Sequence, residues 1–177
     1  ARRGRSRSTP PSFGFARTCS REYRFMNGKS SAHQASPITG SPNYDAEFEA
    51  KWTEFDPGAA NALLDGLGMT DSDADGFRIR PDGETLQVII TTSHDDISDL
   101  ELVKAYWEEV GIKTVVNKVE RSLYTEMSAT GDIEIGHWGF DRNSIVAADP
   151  RRYIGSLDDG PWAPLYGKWF DTGGAQG

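Results

Sequence analysis

The sequence predicts an α/β protein, a lobe built on a βαβαβ core, and three observations carry that prediction. Between Leu86 and Asp141, short β-branched runs alternate with stretches whose apolar residues recur at helical spacing. The intervening stretches are long enough to be crossovers, which implies parallel strands joined right-handedly. The third run ends in His137-Trp138-Gly139-Phe140-Asp141, two aromatics and a carboxylate just past a strand. Ligands of open α/β sheets bind outside the carboxyl ends of the strands. The same run is therefore a candidate site, with chemistry suited to holding a ligand rather than breaking a bond.

The elements follow in order. Residues 1–40 are rich in Arg, Ser, Gly and Pro without a sustained apolar period, and most of this segment reads as disordered or poorly packed. Tyr44, Phe48, Trp52 and Phe55, spaced by four, four and three, suggest a short amphipathic helix or turn. A second helix is capped by Asp56, with Pro57 in its first turn, an apolar face of Leu63, Leu64 and Leu67, and Gly68 at its left-handed end. Asp71–Gly83 is a polar loop broken by Phe77 and Ile79, with a turn at Pro81-Asp82-Gly83.

Leu86–Thr91 is the first strand of the core. Ser98 and Glu101 have the spacing of a capping box, with Ile97 and Leu102 as its hydrophobic staple. Leu100, Val103, Tyr106, Trp107 and Val110 make one helical face that Gly111 ends. Thr114–Val119 is the second strand. Leu123, Tyr124 and Met127 mark a short helix ending near Gly131, and Ile133–Phe140 is the third strand. Beyond Asp149-Pro150 the pattern weakens, and Trp162, Leu165, Tyr166, Trp169 and Phe170 suggest a helical turn.

Composition bounds the function. A chain of 177 residues with 37% hydrophobic content supports one domain, or one domain with tails. The net charge of -8 is split unevenly: residues 1–40 hold eight of the nineteen Lys and Arg but only one acid, Glu22, so the rest carries −15. An acidic body argues against nucleic acid as a partner, because phosphate neutralisation needs clustered cations. The single cysteine, Cys19, has no internal disulfide partner and no neighbouring metal ligands. No apolar run is long enough to span a membrane, and the basic N-terminus lacks the apolar stretch of a secretory signal.

Each candidate chemistry has a plain alternative. Asp71-x-Asp73-x-Asp75-Gly76 matches the start of a calcium loop, but its twelfth position is Asp82 rather than a bidentate Glu, and Asp/Gly-rich turns arise for conformational reasons. Gly28-Lys29-Ser30 resembles the end of a P-loop, but Tyr23 stands where its first glycine belongs. No nucleophile elbow occurs, His33, His94 and His137 sit in unrelated contexts, and no His pair has metalloprotease spacing. Asp95-Asp96 and Asp158-Asp159 read as a helix cap and a solvated turn rather than hydrolase carboxylates. No catalytic residue, metal site or cofactor is expected. For His137–Asp141 the plain alternative is that Trp138 and Phe140 fill the core while Asp141 caps a turn.

From Gly40 onward the chain resembles the C-terminal lobe of the family 5 extracellular solute-binding proteins. The resemblance rests on Ser41-Pro42-Asn43-Tyr44-Asp45, Asp56–Asp65, Asp73–Arg78, Arg80–Gly83, Tyr106–Lys113, Gly131–Ile135 and Trp162–Gly167, taken in order and spacing. It implies a partial lobe of the type II periplasmic-binding-protein fold over residues 40–177, preceded at 1–39 by an aberrant or disordered basic head. A truncated gene product, with a head from a shifted frame or a fusion, would account for that arrangement.

The resemblance further implies a non-enzymatic, ligand-binding component of a bacterial ABC importer, periplasmic or extracellular and attached to the membrane. An oligopeptide or oligosaccharide ligand and a membrane permease would be its partners. Peptide-binding members place a Trp, and three residues later an Asp that pairs with the ligand's α-amino group; Trp138 and Asp141 have that spacing. Gly139 and Phe140 lie between them, and His137 and Asn143 flank them as further ligand-side candidates. Trp138, Trp162 and Trp169 would equally suit stacking on sugar rings. A carboxylate-using hydrolase and a calcium-stabilised interaction module are the alternatives.

Overall fold

The computed structural model describes residues 33–34, 36–138, 146 and 163–177. Its centre is a three-stranded parallel sheet. Strand β1 (Gln87–Thr92) lies in the middle, flanked by β2 (Lys113–Lys118) and β3 (Ile135–His137). The register pairs Gln87 with Lys113 through Thr92 with Lys118 on one side, and Ile90 with Ile135 through Thr92 with His137 on the other. Chain order places α3 (Ser98–Glu109) between β1 and β2, and α4 (Arg121–Thr130) between β2 and β3. The predicted βαβαβ unit is present, and all carboxyl ends share one rim.

Two short helices precede the sheet. Helix α1 (Ala46–Ala50) is capped by Asp45, whose carboxylate accepts from the N–H groups of Glu47 and Phe48. The described end of the basic head is tied to it: Ser36 is buried and its hydroxyl donates to Glu49 at 3.1 Å. Helix α2 (Pro57–Gly66) is capped as expected, with Asp56 Oδ1 accepting from Ala59 N–H at 2.8 Å. Its apolar face is narrower than the spacing suggests. Leu64 alone is sealed, whereas Leu63 and Leu67 are exposed.

The core forms where α3 covers one face of the sheet. Ile90, Leu100 and Val103 make one cluster, and Leu64, Val110 and Ile112 another; Trp107 packs against both and joins them. On the other face Val115 is 38% exposed. Alternation along β2 therefore gives one packed and one open side among the described residues.

Three expectations need correction. The capping box does not form, because Asp96 Oδ1 accepts from the Ser98 N–H at 3.0 Å and its hydroxyl at 2.6 Å. Ser98 is then the first helical residue, not the cap, and Ile97 at the cap position makes no side-chain bond. The described third strand begins later than predicted, at Ile135. Glu134 Oε2 accepts the Ile89 N–H at 2.8 Å, so a side chain replaces the backbone partner where the ladder would otherwise extend. Downstream, Leu165, Tyr166, Trp169 and Phe170 lie on α5 (Pro164–Asp171), a full helix rather than a turn. Leu165 of α5 lies beside Gly131 at the end of α4.

Candidate functional site

The rim where β1 and β3 end is built by three loops. Parallel register sets Thr92 beside His137, and both side chains point to the same side of the ladder: Thr92 Oγ1 and His137 Nδ1 are 3.0 Å apart. The chain leaving β1 turns so that the His94 N–H donates to the same Thr92 oxygen at 3.1 Å. From the first turn of α3, Asp99 Oδ2 reaches His137 Nε2 at 3.3 Å. A carboxylate there also gains from the positive end of the helix.

Trp138 follows directly. Its indole is half-buried, stacked on Tyr124 with ring centroids 5.0 Å apart and tilted by 28°. The His94 ring meets it edge-on at 5.6 Å, and the Arg121 guanidinium lies 5.2 Å from its centroid. Arg121 and Tyr124 come from the first turns of α4, three residues apart and so on one helical face. Such contacts fix the plane of an indole and give it a cationic neighbour.

Electrostatics at the rim favour a neutral His137. Burial holds its imidazole below the ordinary histidine value, His94 at 5.0 Å adds to that effect, and Asp99 opposes both. Nearby, Lys118 Nζ is paired to Asp95 at 3.0 Å and Asp96 is turned to its own helix.

Of the ligand-side candidates, the structure brings His137 and Trp138 together at the carboxyl rim. Gly139, Phe140, Asp141 and Asn143 lie outside the described residues, as does Trp162. Trp169 is on α5, stacked on Tyr166 at 5.5 Å. The contexts of His94 and His137, unrelated in sequence, are one cluster in space. Thr92, His94, Asp99, Arg121 and Tyr124 are not named as site residues by the sequence reading. The usable signal was positional: each lies within a few residues of a strand's carboxyl end, and parallel strands gather those ends.

The acidic loop is a turn among its own groups. Asp73 Oδ1 accepts from the N–H of Asp75 (3.0 Å) and Phe77 (2.9 Å), and Oδ2 from the Thr85 hydroxyl (2.8 Å). No group of three or more His, Cys, Asp or Glu suited to a metal occurs among the described residues.

Comparison with known proteins yields a consistent likeness. The model of the bacterial extracellular solute-binding proteins, family 5 middle region, matches residues 23–150. That match starts inside the segment which composition sets apart. Among solved structures, an oligopeptide-binding protein OppA is 28% identical with a TM-score of 0.78, covering 94% of this chain and 28% of its own. NikA from Brucella suis, solved with Fe(III)-EDTA, is 21% identical with a TM-score of 0.59, covering 89% and 30% respectively. MelB from Agrobacterium fabrum C58, a periplasmic binding protein solved with stachyose, is 17% identical with a TM-score of 0.64, covering 83% and 24%. The last two likenesses concern the fold alone. The chain thus spans less than a third of the length of these relatives. No curated protein matches it.

Proposed function

The chain belongs to the family 5 bacterial extracellular solute-binding proteins, and on that premise we propose that it supplies one wall of a ligand cleft, holding an oligopeptide or oligosaccharide for an ABC importer. Trp138 is the observation that carries the reading. A half-buried indole with its plane set by Tyr124 stands at the sheet's carboxyl rim, where such sheets receive ligands. An indole face serves both ligand classes, excluding water around a peptide backbone or stacking on a pyranose.

Asp141 and Trp138 keep the roles that the family resemblance implies: the carboxylate pairs with a peptide's ammonium group and the ring forms the wall. Gly139, Phe140 and Asn143, adjacent in sequence, are proposed as further ligand-side residues. His137 acts behind Trp138 rather than on the ligand. The role is capture without chemistry, in keeping with a family of binding proteins, and a hydrolase is not favoured. A membrane permease is the downstream partner, and the working location is extracellular or periplasmic with attachment to the membrane. No helix among the described residues is long and apolar enough to cross one. In this reading residues 40–177 are part of one lobe, and residues 1–39 contribute nothing to the ligand.

A lone wall holds ligand weakly, because binding sites normally bury most of the ligand's surface. The test is an NMR titration of the whole chain with tri-alanine and, separately, with stachyose. Weak, Trp138-centred shifts with at least one probe, lost in Trp138→Ala, are expected, with no heat of binding at micromolar concentration. Shifts with neither probe, or shifts that survive Trp138→Ala, would overturn the reading.

A further inference from the structure

We infer that His137 is a positioning residue for Trp138, and that adding a second proton to its imidazole releases the indole from its place at the rim. The inference rests on the directions of three hydrogen bonds. Thr92 Oγ1 already accepts the His94 N–H, at 3.1 Å. Asp99 can only accept, so the hydrogen of a neutral imidazole belongs on Nε2, facing Asp99 Oδ2 at 3.3 Å, and Nδ1 accepts the Thr92 hydroxyl hydrogen 3.0 Å away. One neutral tautomer satisfies every member of the chain.

A second proton must go to Nδ1, turning that atom into a donor. Thr92 Oγ1 then faces two N–H groups, and its own hydrogen has to find another acceptor. Thr92 is completely buried, so water cannot take that bond. An unmade bond at a buried group is costly.

The groups facing the imidazole complete the argument. Asp99 of α3 favours the cation. His94, on the segment after β1, is centred 5.0 Å away and disfavours it. Arg121 of α4 lies against the adjoining Trp138 and adds a like charge nearby. Tyr124 of α4 stacks its ring on that indole. The imidazole relieves the conflict by turning away from Thr92. Trp138 is the next residue in the chain and meets the His94 ring edge-on, so it cannot keep its seat when the histidines separate. If Trp138 is the ligand wall proposed above, ligand hold weakens in acid.

The experiment needs no ligand, so its outcome is separate from that of the ligand titration. The whole chain is titrated with acid while NMR follows the His137 ring hydrogens and the Trp138 indole N–H, assigned with Trp138→Phe. The two signals should move with one midpoint. Asp99→Asn, a change at a partly exposed residue, should move both midpoints to lower pH together. His137→Gln should leave the indole signal flat across that range. The inference fails if the indole signal is flat while His137 titrates, if Asp99→Asn separates the midpoints, or if the indole still titrates in His137→Gln.

Discussion

Gly111 lies directly against Arg78, 33 residues earlier in the chain: a Cβ built on Gly111 would stand 2.7 Å from Arg78 Cγ. Their backbones are also joined, the Arg78 N–H donating to the Gly111 carbonyl at 2.8 Å. Gly111 ends α3 with φ at +87°, a conformation that disfavours side chains. Gly111→Ala therefore meets both backbone strain and a steric conflict. The expected cost is about 2–4 kcal/mol, the sum of left-handed strain and overpacking. Urea unfolding of the variant should show a lower midpoint with an unchanged slope.

Arg78 itself gathers segments distant in sequence. Its Nε donates to the Val110 carbonyl at 2.9 Å, and its two terminal nitrogens serve Asp65, the Met69 carbonyl and Asn61 Oδ1. Arg78→Ala leaves several acceptors without their donor and should cost about 2–4 kcal/mol. Arg78→Lys should recover little of this, because an ammonium cannot reach both sides of the guanidinium fork. Comparing the two variants by chemical unfolding separates loss of charge from loss of geometry.

Arg78 also marks the boundary of what sequence alone makes legible. The strands, α3 and α4 were readable because β-branched runs and helical spacing are local. The Asp56 cap was readable because its partner is three residues away. Arg78, by contrast, reads as one more charge in a polar loop, since its partners are brought together only by packing. The same holds for the rim. Trp138 was visible as an aromatic past a strand, but its neighbours Tyr124 and His94 come from other loops. The false capping box has a related cause: Asp96 and Ser98 both had capping chemistry, and only geometry selects between them.

Calcium is expected to leave the chain unchanged. Asp73 spends its carboxylate on the Thr85 hydroxyl, which chiefly holds its pKa below the ordinary value, and on two backbone N–H groups that add to the effect. Those lone pairs are not free for a cation that needs six or more oxygens. The melting temperature should not rise in saturating calcium. Asp73→Ala should lower it equally with and without the ion, because the turn is lost in both cases. Thermal melts in calcium and in chelator check this.

Stability should fall in mild acid. Burial, reinforced by His94 and opposed by Asp99, holds His137 below its ordinary 6.5. As pH falls, the unfolded chain takes up the proton first. The stabilisation is complete above that unfolded value and is lost as pH drops through the folded one. Carboxylates held low by hydroxyl partners, Glu49 by Tyr44, Asp73 by Thr85 and Asp96 by Ser98, lose their contributions only at more acid pH. Between about pH 7 and pH 5 the urea midpoint should decline in the parent chain, and more shallowly in His137→Gln.

The last expectation concerns the support of the indole from below. A Cβ on Gly136 of β3 would lie 2.7 Å from the Tyr124 hydroxyl oxygen, so Gly136→Ala displaces the ring on which Trp138 stacks. The conflict is with the hydroxyl, not the ring itself, whose Cζ would be 3.8 Å away. Removing that oxygen in Tyr124→Phe should make the alanine tolerable. The two changes are thus expected to couple: Gly136→Ala costs about 1–2 kcal/mol alone and clearly less in the Tyr124→Phe background. Near-ultraviolet circular dichroism should follow the same pattern, with the Trp138 signal perturbed in the single alanine variant and restored in the double variant. A penalty of equal size in both backgrounds would mean that Tyr124 is not what limits space beside Gly136.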